Sequence, residues 1–454
     1  MKFQSINPAD DQVVAEYELH TSARMEAIIE ASRQAFLAWR ERSFADRATL
    51  MHKAANVLRD NKATYGELMA REMGKPVVQG EGEAEKCAWV CDYYADNAEA
   101  FLAPYDVASG ASRSYVTFQP LGPIFAIMPW NYPFWQVFRF AAPHLMAGNT
   151  GLLKHAPNVT GCAQAIEDVF HRAGFPQDVF RTLVIDTDQA AAVIANPAVR
   201  AVTLTGSTRA GKAVAAAAGK ALKKTVLELG GSDPYLVLDD ADLDLAIEAC
   251  AASRLLNSGQ SCIGAKRFLV AASLHDAFTA GMVARLGAAK VGDPCARDTA
   301  VGPLARHDLR DTLAAQVDAS VAAGARCLVG GKVPDGAGCF YPPTVLTGVH
   351  PGMPAWDEEL FGPVATIIPF KDEDEAVAIA NGTPYGLGSA VFSADPAHAE
   401  RVAARIEAGA TFINSHVASD PRLPFGGIKD SGYGRELADH GIREFVNIKT
   451  VSIK

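Results

Sequence analysis

Short apolar runs separated by amphipathic segments recur in two series along the chain, and few folds accept that order. The first series is IFAIMPW, GLLKHA, FRTLVI, AVTLTG and KTVLEL, with helical segments expected near 134–147, 160–173, 188–195 and 208–220 between them. Apolar runs too short for helices, joined by helices, require parallel strands with right-handed crossovers and both faces covered. A second series begins at Pro234, with PYLVL, RFLV, the apolar part of FYPPTVL, ATIIPF, SAVFS and ATFINS. Helical segments over 242–257, 274–290, 305–324 and 396–408 intervene. Two α/β domains are therefore expected, in keeping with 454 residues, more than one core serves. Residues 24–100 carry apolar positions at helical spacing, as in MEAIIEASRQAFLAWR, and read as helical. Two segments fit neither series. SRSYVTFQPLG (113–122) alternates as a hairpin does, and EFVNIKTVSIK (444–454) as an edge strand, for which another subunit's sheet is one available partner.

A net charge of −10 argues against a nucleic-acid partner, because phosphate binding needs a basic surface. No basic segment followed by a long apolar run marks a secretory signal, and no uninterrupted apolar stretch is long enough to span a bilayer. The eight cysteines show no framework spacing; Cys87 and Cys91 sit one helical turn apart without a second pair or a nearby His for zinc. No metal site is expected, and free thiols in a reducing cytoplasm are.

Four places carry chemistry. Cys262, in NSGQSCIGAKR, lies in a turn between a helix and the strand RFLV, flanked by Gly259 and Gly264. A lone cysteine is most simply a small buried hydrophobe, but here the glycines leave a substrate carbon room to reach the sulfur. A thiolate attacks aldehydes, and at an ordinary pKa little of it exists near neutrality, so a neighbouring base, dipole or charge should assist. Glu228, in LELGGSDP, ends a strand where open parallel sheets face their ligand crevice, and fits either a water-activating base or a cap or surface charge. Asn131, in MPWNYPFW, follows a strand between Pro129 and Pro133; its amide is either an oxyanion donor or an ordinary turn asparagine. TLTGSTRAG (203–211) follows a strand and opens a helix, the context of a phosphate cradle, although Thr208 stands where the usual fingerprint has its middle glycine.

Together these stretches resemble the aldehyde dehydrogenase superfamily. The resemblance runs through PLGPIFAIMPWNYP, GNTGLLKHAPN, TLTGSTRAG, LELGGSDP, NSGQSCIGAKR, EELFGPV and PFGGIKDSGYGRE, in the family's order and approximate spacing. It implies an aldehyde dehydrogenase-like α/β fold. A Rossmann-type dinucleotide domain would occupy 1–106 and 122–230, and a second α/β catalytic domain 231–425. A small β bridging and oligomerisation element would take 107–121 and 426–454, in a homodimer or homotetramer. It further implies Cys262 as nucleophile, Glu228 as base of thioester hydrolysis, and Asn131 with the Cys262 N–H as oxyanion hole. Lys154 and Glu359 would hold the two riboses and Ser207 a pyrophosphate oxygen, within a cofactor site that includes Gly206, Gly211 and Leu229. Trp130 and Phe361 would wall the nicotinamide. Because relatives that pass the acyl group to coenzyme A typically lack the carboxylate of Glu228, hydrolysis to a free acid is implied.

Arg139 bears on which aldehyde. On a helix over 133–147 it lies one turn from Trp135, among Phe138 and Phe140, where an arginine is costly unless it meets an anion. That anion is either a carboxylate of the fold or the far end of a substrate. The second arrangement resembles succinate-semialdehyde dehydrogenases and by that likeness adds Ser261 and Ser419 as carboxylate contacts. By that likeness, oxidation of succinate semialdehyde, an aldehyde with a terminal carboxylate, to succinate is expected, with glutarate semialdehyde slower; broad aldehyde specificity and a non-catalytic relative are the competing readings. Both NAD and NADP are expected. Pro157 supplies neither the glutamate common in NAD-selective relatives nor the small hydroxyl common in NADP-preferring ones, with NAD modestly favoured.

Overall fold

The computed structural model describes residues 2–454. Its first large sheet has the order Gly432–Tyr433, Lys224–Glu228, Ala201–Thr205, Pro123–Met128, Thr150–His155, Phe180–Thr182, parallel except for the first pair. The helices between its parallel strands, Trp135–Met146, Thr160–Arg172, Thr187–Ala195 and Thr208–Lys220, fall where the amphipathic segments place them. Their apolar faces close a core in which Phe170 meets Phe138, Phe175 and Phe180 at ring-centroid distances of 5.3, 5.2 and 4.7 Å. Each such buried ring contributes about 1.5–3 kcal/mol. The helices Phe44–Asp60, Lys62–Met73 and Val77–Phe101 pack against this core.

The second sheet has the order Arg326–Val329, Thr344–Thr347, Val364–Phe370, Arg267–Ala271, Pro234–Val237, Gly388–Phe392, Ala410–Ile413. Only its first strand runs antiparallel. The chain passes from one sheet to the other through the short link between Glu228 and Pro234.

The smallest part differs from expectation. Residues 113–122 do not fold back on themselves: Arg113–Pro120 is one continuous strand, paired with Tyr105–Asp106 on one side and Val446–Ile453 on the other. Its alternation reflects two unlike faces of a central strand, which a hairpin would share. The terminal strand therefore finds its partner within its own chain, leaving its outer edge free, with Ile448 62% exposed. Nor does 426–454 act as one element, since Ile428–Lys429 pairs with Tyr385–Gly386 beside the second sheet and Gly432–Tyr433 extends the first. A hairpin of Lys2–Ile6 and Val13–Glu18, too polar on its exposed faces to stand out in the sequence, precedes the helices.

In the first sheet the connections run one way from Pro123–Met128 and the other way from Ala201–Thr205, so the crevice beyond their carboxyl ends is the natural place for a ligand. The residues leading into Arg267–Ala271 and Val364–Phe370 of the second sheet face the same crevice.

Candidate active site

The crevice is a cleft of about 500 Å³ lined by the turns after three strands of the first sheet. Trp130 and Asn131 come from one, Gly206 and Ser207 from the next, Leu229 and Gly230 from the third. Ser207 caps the helix Thr208–Lys220, its Oγ accepting from the Ala210 N–H. A helix start with free N–H groups attracts phosphate. Gly211 lets this helix lie against Leu229, for a Cβ there would stand 2.5 Å from that side chain. Across the cleft Phe361 meets Trp130 edge-on, centroids 5.8 Å apart, and both rings line it. Glu359 leans over the backbone of 230–231, accepting from the Gly231 N–H at 3.1 Å. Lys154 and Pro157 stand at the neighbouring strand end, Lys154 half-buried and Pro157 exposed at the start of a short 3-10 turn. Burial lowers the Lys154 pKa against the pull of Asp186. The helix cap, the close-packed glycine, the paired aromatic rings and the Glu359 carboxylate fit a nicotinamide dinucleotide.

Cys262 sits where this cleft meets a second cavity of about 480 Å³. The loop that carries it is strained: Asn257 and Ser258 hold φ of 53° and 54°, and Gly259 follows at 74°. Consecutive side-chain-bearing residues in that region persist only when surroundings hold them. The Asn257 amide donates to the carbonyls of Asn131 (2.7 Å) and Gln260 (3.0 Å). Lys266 Nζ donates to the carbonyls of Ser261, Cys262 and Gly264. Asn131 is tied to the same loop, its Nδ2 donating to the Gln260 carbonyl at 3.1 Å while its Oδ1 accepts from Gln136. The amide of the expected oxyanion donor and the loop of the expected nucleophile are thus parts of one network. Burial pushes the Cys262 thiol up to about 11, opposed by the charges of Arg139 and Lys266, so in the free protein the sulfur is held protonated.

Glu228, at the end of its strand, turns away from this cleft. Its carboxyl is buried without a hydrogen-bond partner among the described residues and lies against Gly426, where a Cβ would come within 2.6 Å of Oε1. Burial and the nearby Glu436 raise its pKa well above the usual carboxylate range. Reaching a thioester on Cys262 requires this side chain to swing or a water to bridge.

Arg139 meets its anion inside the fold. Its Nε pairs with Glu436, both side chains buried, while Nη2 donates to Thr205 Oγ1 at 3.3 Å and the guanidinium lies over Phe425. Of the two anions weighed for Arg139, the structure supplies the fold's own. Arg139 still lines the second cavity, together with Trp135, Ser261 and Ser419.

Several groups escaped the sequence reading. Glu83 accepts from the N–H groups of Phe134 and Trp135 at 2.8 and 2.9 Å, fastening the turn after Asn131 to the helix Val77–Phe101, and pairs with buried Lys75. Lys86, one turn along that helix, reaches into the second cavity. Nothing in GEGEAEKCAWV distinguishes Lys86 from a solvated lysine, and nothing in GYGRE shows what the Glu436 carboxylate faces.

Comparison with known proteins agrees with this geometry. The aldehyde dehydrogenase family pattern matches residues 1–451. The chain is 49% identical over 453 residues to a probable succinate-semialdehyde dehydrogenase [NADP(+)] of Synechocystis sp., covering all of both proteins. It is 46% identical to a succinate semialdehyde dehydrogenase [NAD(P)+] of Escherichia coli, covering 98% of this chain and 97% of that one. The crystal structure of succinic semialdehyde dehydrogenase from Streptococcus pyogenes in complex with NADP+ superposes with a TM-score of 0.97 at 38% identity, covering 99% of each chain. From motif order, two-sheet architecture and full-length similarity together, the chain belongs to the aldehyde dehydrogenase family.

Proposed function

We propose that this protein oxidises succinate semialdehyde to succinate with NADP or NAD. The observation that carries the reading is the wall of the second cavity. Beyond Cys262 it presents two cationic side chains, Arg139 and Lys86, and the hydroxyls of Ser261 and Ser419 on an otherwise largely apolar surface. No carboxylate lines it among the described residues. Such a chamber suits an aldehyde whose far end is anionic. The names of the similar proteins support the same substrate.

In this reading the sulfur of Cys262 gives up its proton to solvent and adds to the aldehyde carbon, while the Asn131 amide and the Cys262 N–H donate to the carbonyl oxygen as it gains charge. A nicotinamide held by Trp130 and Phe361 would supply the hydride acceptor for this oxidation. Glu228 takes a proton from the water that cleaves the thioester, returning the thiol and releasing the acid. Trp130, Phe361, Ser207 and Glu359 hold the dinucleotide, and Lys154 stands at the outer strand end, where a 2′-phosphate has no acidic residue at position 157 to repel it. The relatives' names lean towards NADP. We therefore place NADP at least level with NAD, against the modest NAD preference expected from Pro157 alone. We also infer self-association through the free edge of Val446–Ile453.

The competing reading, a broad aldehyde specificity, gains from the Arg139–Glu436 pair, which gives Arg139 a structural reason to exist. Steady-state kcat/KM for succinate semialdehyde, glutarate semialdehyde and butanal, with each cofactor, separates the two. A preference of less than about tenfold for succinate semialdehyde over butanal, which is ~1.4 kcal/mol of discrimination, would end the semialdehyde assignment.

A further inference from the structure

Arg139 and Lys86 both border the cavity beyond Cys262, but they differ in what already holds them. The Arg139 charge is met by buried Glu436. The Lys86 ammonium has no ion-pair partner among the described residues; it donates to Ser419 Oγ at 2.8 Å and lies 4.4 Å from the Trp135 ring centroid. A half-buried ammonium resting on an indole has lost much of its water and gained a neutral acceptor but no salt bridge among the described residues. A carboxylate arriving in the cavity would restore what it lacks, whereas at Arg139 it would compete with a carboxylate already in place.

The Lys86 backbone is also fixed. Its helix, Val77–Phe101, is tied to the catalytic turn by Glu83, three residues earlier, through the N–H groups of Phe134 and Trp135. Lys86, Ser419 and Trp135 thus form one corner of the cavity, with Cys262 on its border.

We propose that Lys86 is the residue that selects aldehydes bearing a far carboxylate, pairing with that carboxylate while Ser419 shares the bond and Arg139 remains bound to Glu436. This rests on the substrate reading above and assigns its specificity to a side chain on a different element. Burial and the Arg139 charge push the Lys86 pKa down to about 8, with Cys87, Glu83 and Asp420 acting in the other direction. This agrees with an ammonium poised for an anion.

The test compares kcat/KM for succinate semialdehyde and for butanal in the wild type, Lys86→Met and Lys86→Arg, with thermal melting to verify folding. A charge-assisted hydrogen bond supports a loss of about ten- to a hundredfold in the succinate semialdehyde/butanal ratio for Lys86→Met. Lys86→Arg, which keeps the charge, should retain most of the preference. If the wild type prefers succinate semialdehyde and Lys86→Met keeps that preference, Lys86 is not the selector. Equal losses in Lys86→Met and Lys86→Arg would remove charge as the cause and overturn the proposal equally. Should the wild type itself show no preference, the substrate reading fails first, a distinct result that needs no variant. Where Lys86→Met does not fold, the wild-type ratio and Lys86→Arg decide between these outcomes at pH 7 and pH 9. An ammonium with a pKa near 8 loses most of its charge at pH 9, so the wild-type ratio should fall there and the Lys86→Arg ratio hold. A wild-type ratio unchanged at pH 9 counts against Lys86.

Discussion

Cys262 stands between two cavities built in different ways. The cleft on one side is assembled from short turns at neighbouring strand ends, so each functional group is a consequence of the sheet that presents it. The cavity on the other side draws Lys86 from a helix ahead of the first sheet, Arg139 from the helix after the catalytic turn, and Ser419 from a loop near the end of the second domain. The first kind of site tolerates little variation, because moving one group means moving a strand. The second can be respecified by a single side chain, because its members share a space without sharing an element.

The comparison breaks at its hinge if Cys262 is not the shared atom. Cys262→Ala should lower turnover by several orders of magnitude while melting behaviour and dinucleotide binding persist; residual turnover above about a hundredth of wild type would move the nucleophile elsewhere.

The state of that sulfur sharpens the point. With its pKa pushed up to about 11, alkylation of the free protein by iodoacetamide should accelerate about tenfold per pH unit from 7 to 10. A plateau near pH 8 would show a thiolate already formed at rest, independent of either cavity's contents.

Glu228→Gln should lower the steady state about a hundredfold or more yet leave a burst of reduced cofactor. Burst and steady state falling together would place Glu228 before hydride transfer. A second readout follows from its raised folded pKa. An acid that binds its proton more tightly when folded costs stability as pH rises above its unfolded value. The wild type should therefore weaken relative to Glu228→Gln above the ordinary carboxylate range.

For the second cavity, Arg139→Met strands buried Glu436 and should cost about 3–5 kcal/mol of folding free energy. The double change Arg139→Met, Glu436→Met should recover much of that in denaturant melts. If the single change is thermally silent but selectively slows succinate semialdehyde, Arg139 serves the substrate rather than the fold.

The smallest effect belongs to the cofactor side. Pro157→Glu should move the NADP/NAD ratio of kcat/KM towards NAD by about tenfold, the size expected from one like-charge contact worth ~1.4 kcal/mol. An unchanged ratio would place the 2′-phosphate away from residue 157.

The same contrast explains what could be read from the amino acids. Cys262, Asn131 and Ser207 each follow or precede a strand, and Glu228 ends one, beside Gly- or Pro-marked turns, so local patterning could put them at strand ends, and the helices 135–146, 160–172 and 208–220 lie within a residue or two of their expected spans. The pairing of Arg113–Pro120 with Val446–Ile453 spans more than 300 residues, and no local signal announces it. Lys86 and Glu436 matter through what faces them across the fold, which spacing along a helix or loop does not encode. Arg139 is the instructive middle case. Its apolar neighbours correctly demanded an anion, but could not say whether the chain or a substrate would bring it.

The helix Val77–Phe101 places its grip on the catalytic turn at Glu83 and its cavity-facing amine at Lys86, separated by three residues, about 4.5 Å of helical rise. If Lys86 meets the far carboxylate, fixing both points on one rod would make chain length, and not only charge, something the molecule measures, and a substrate one methylene longer would have to bend.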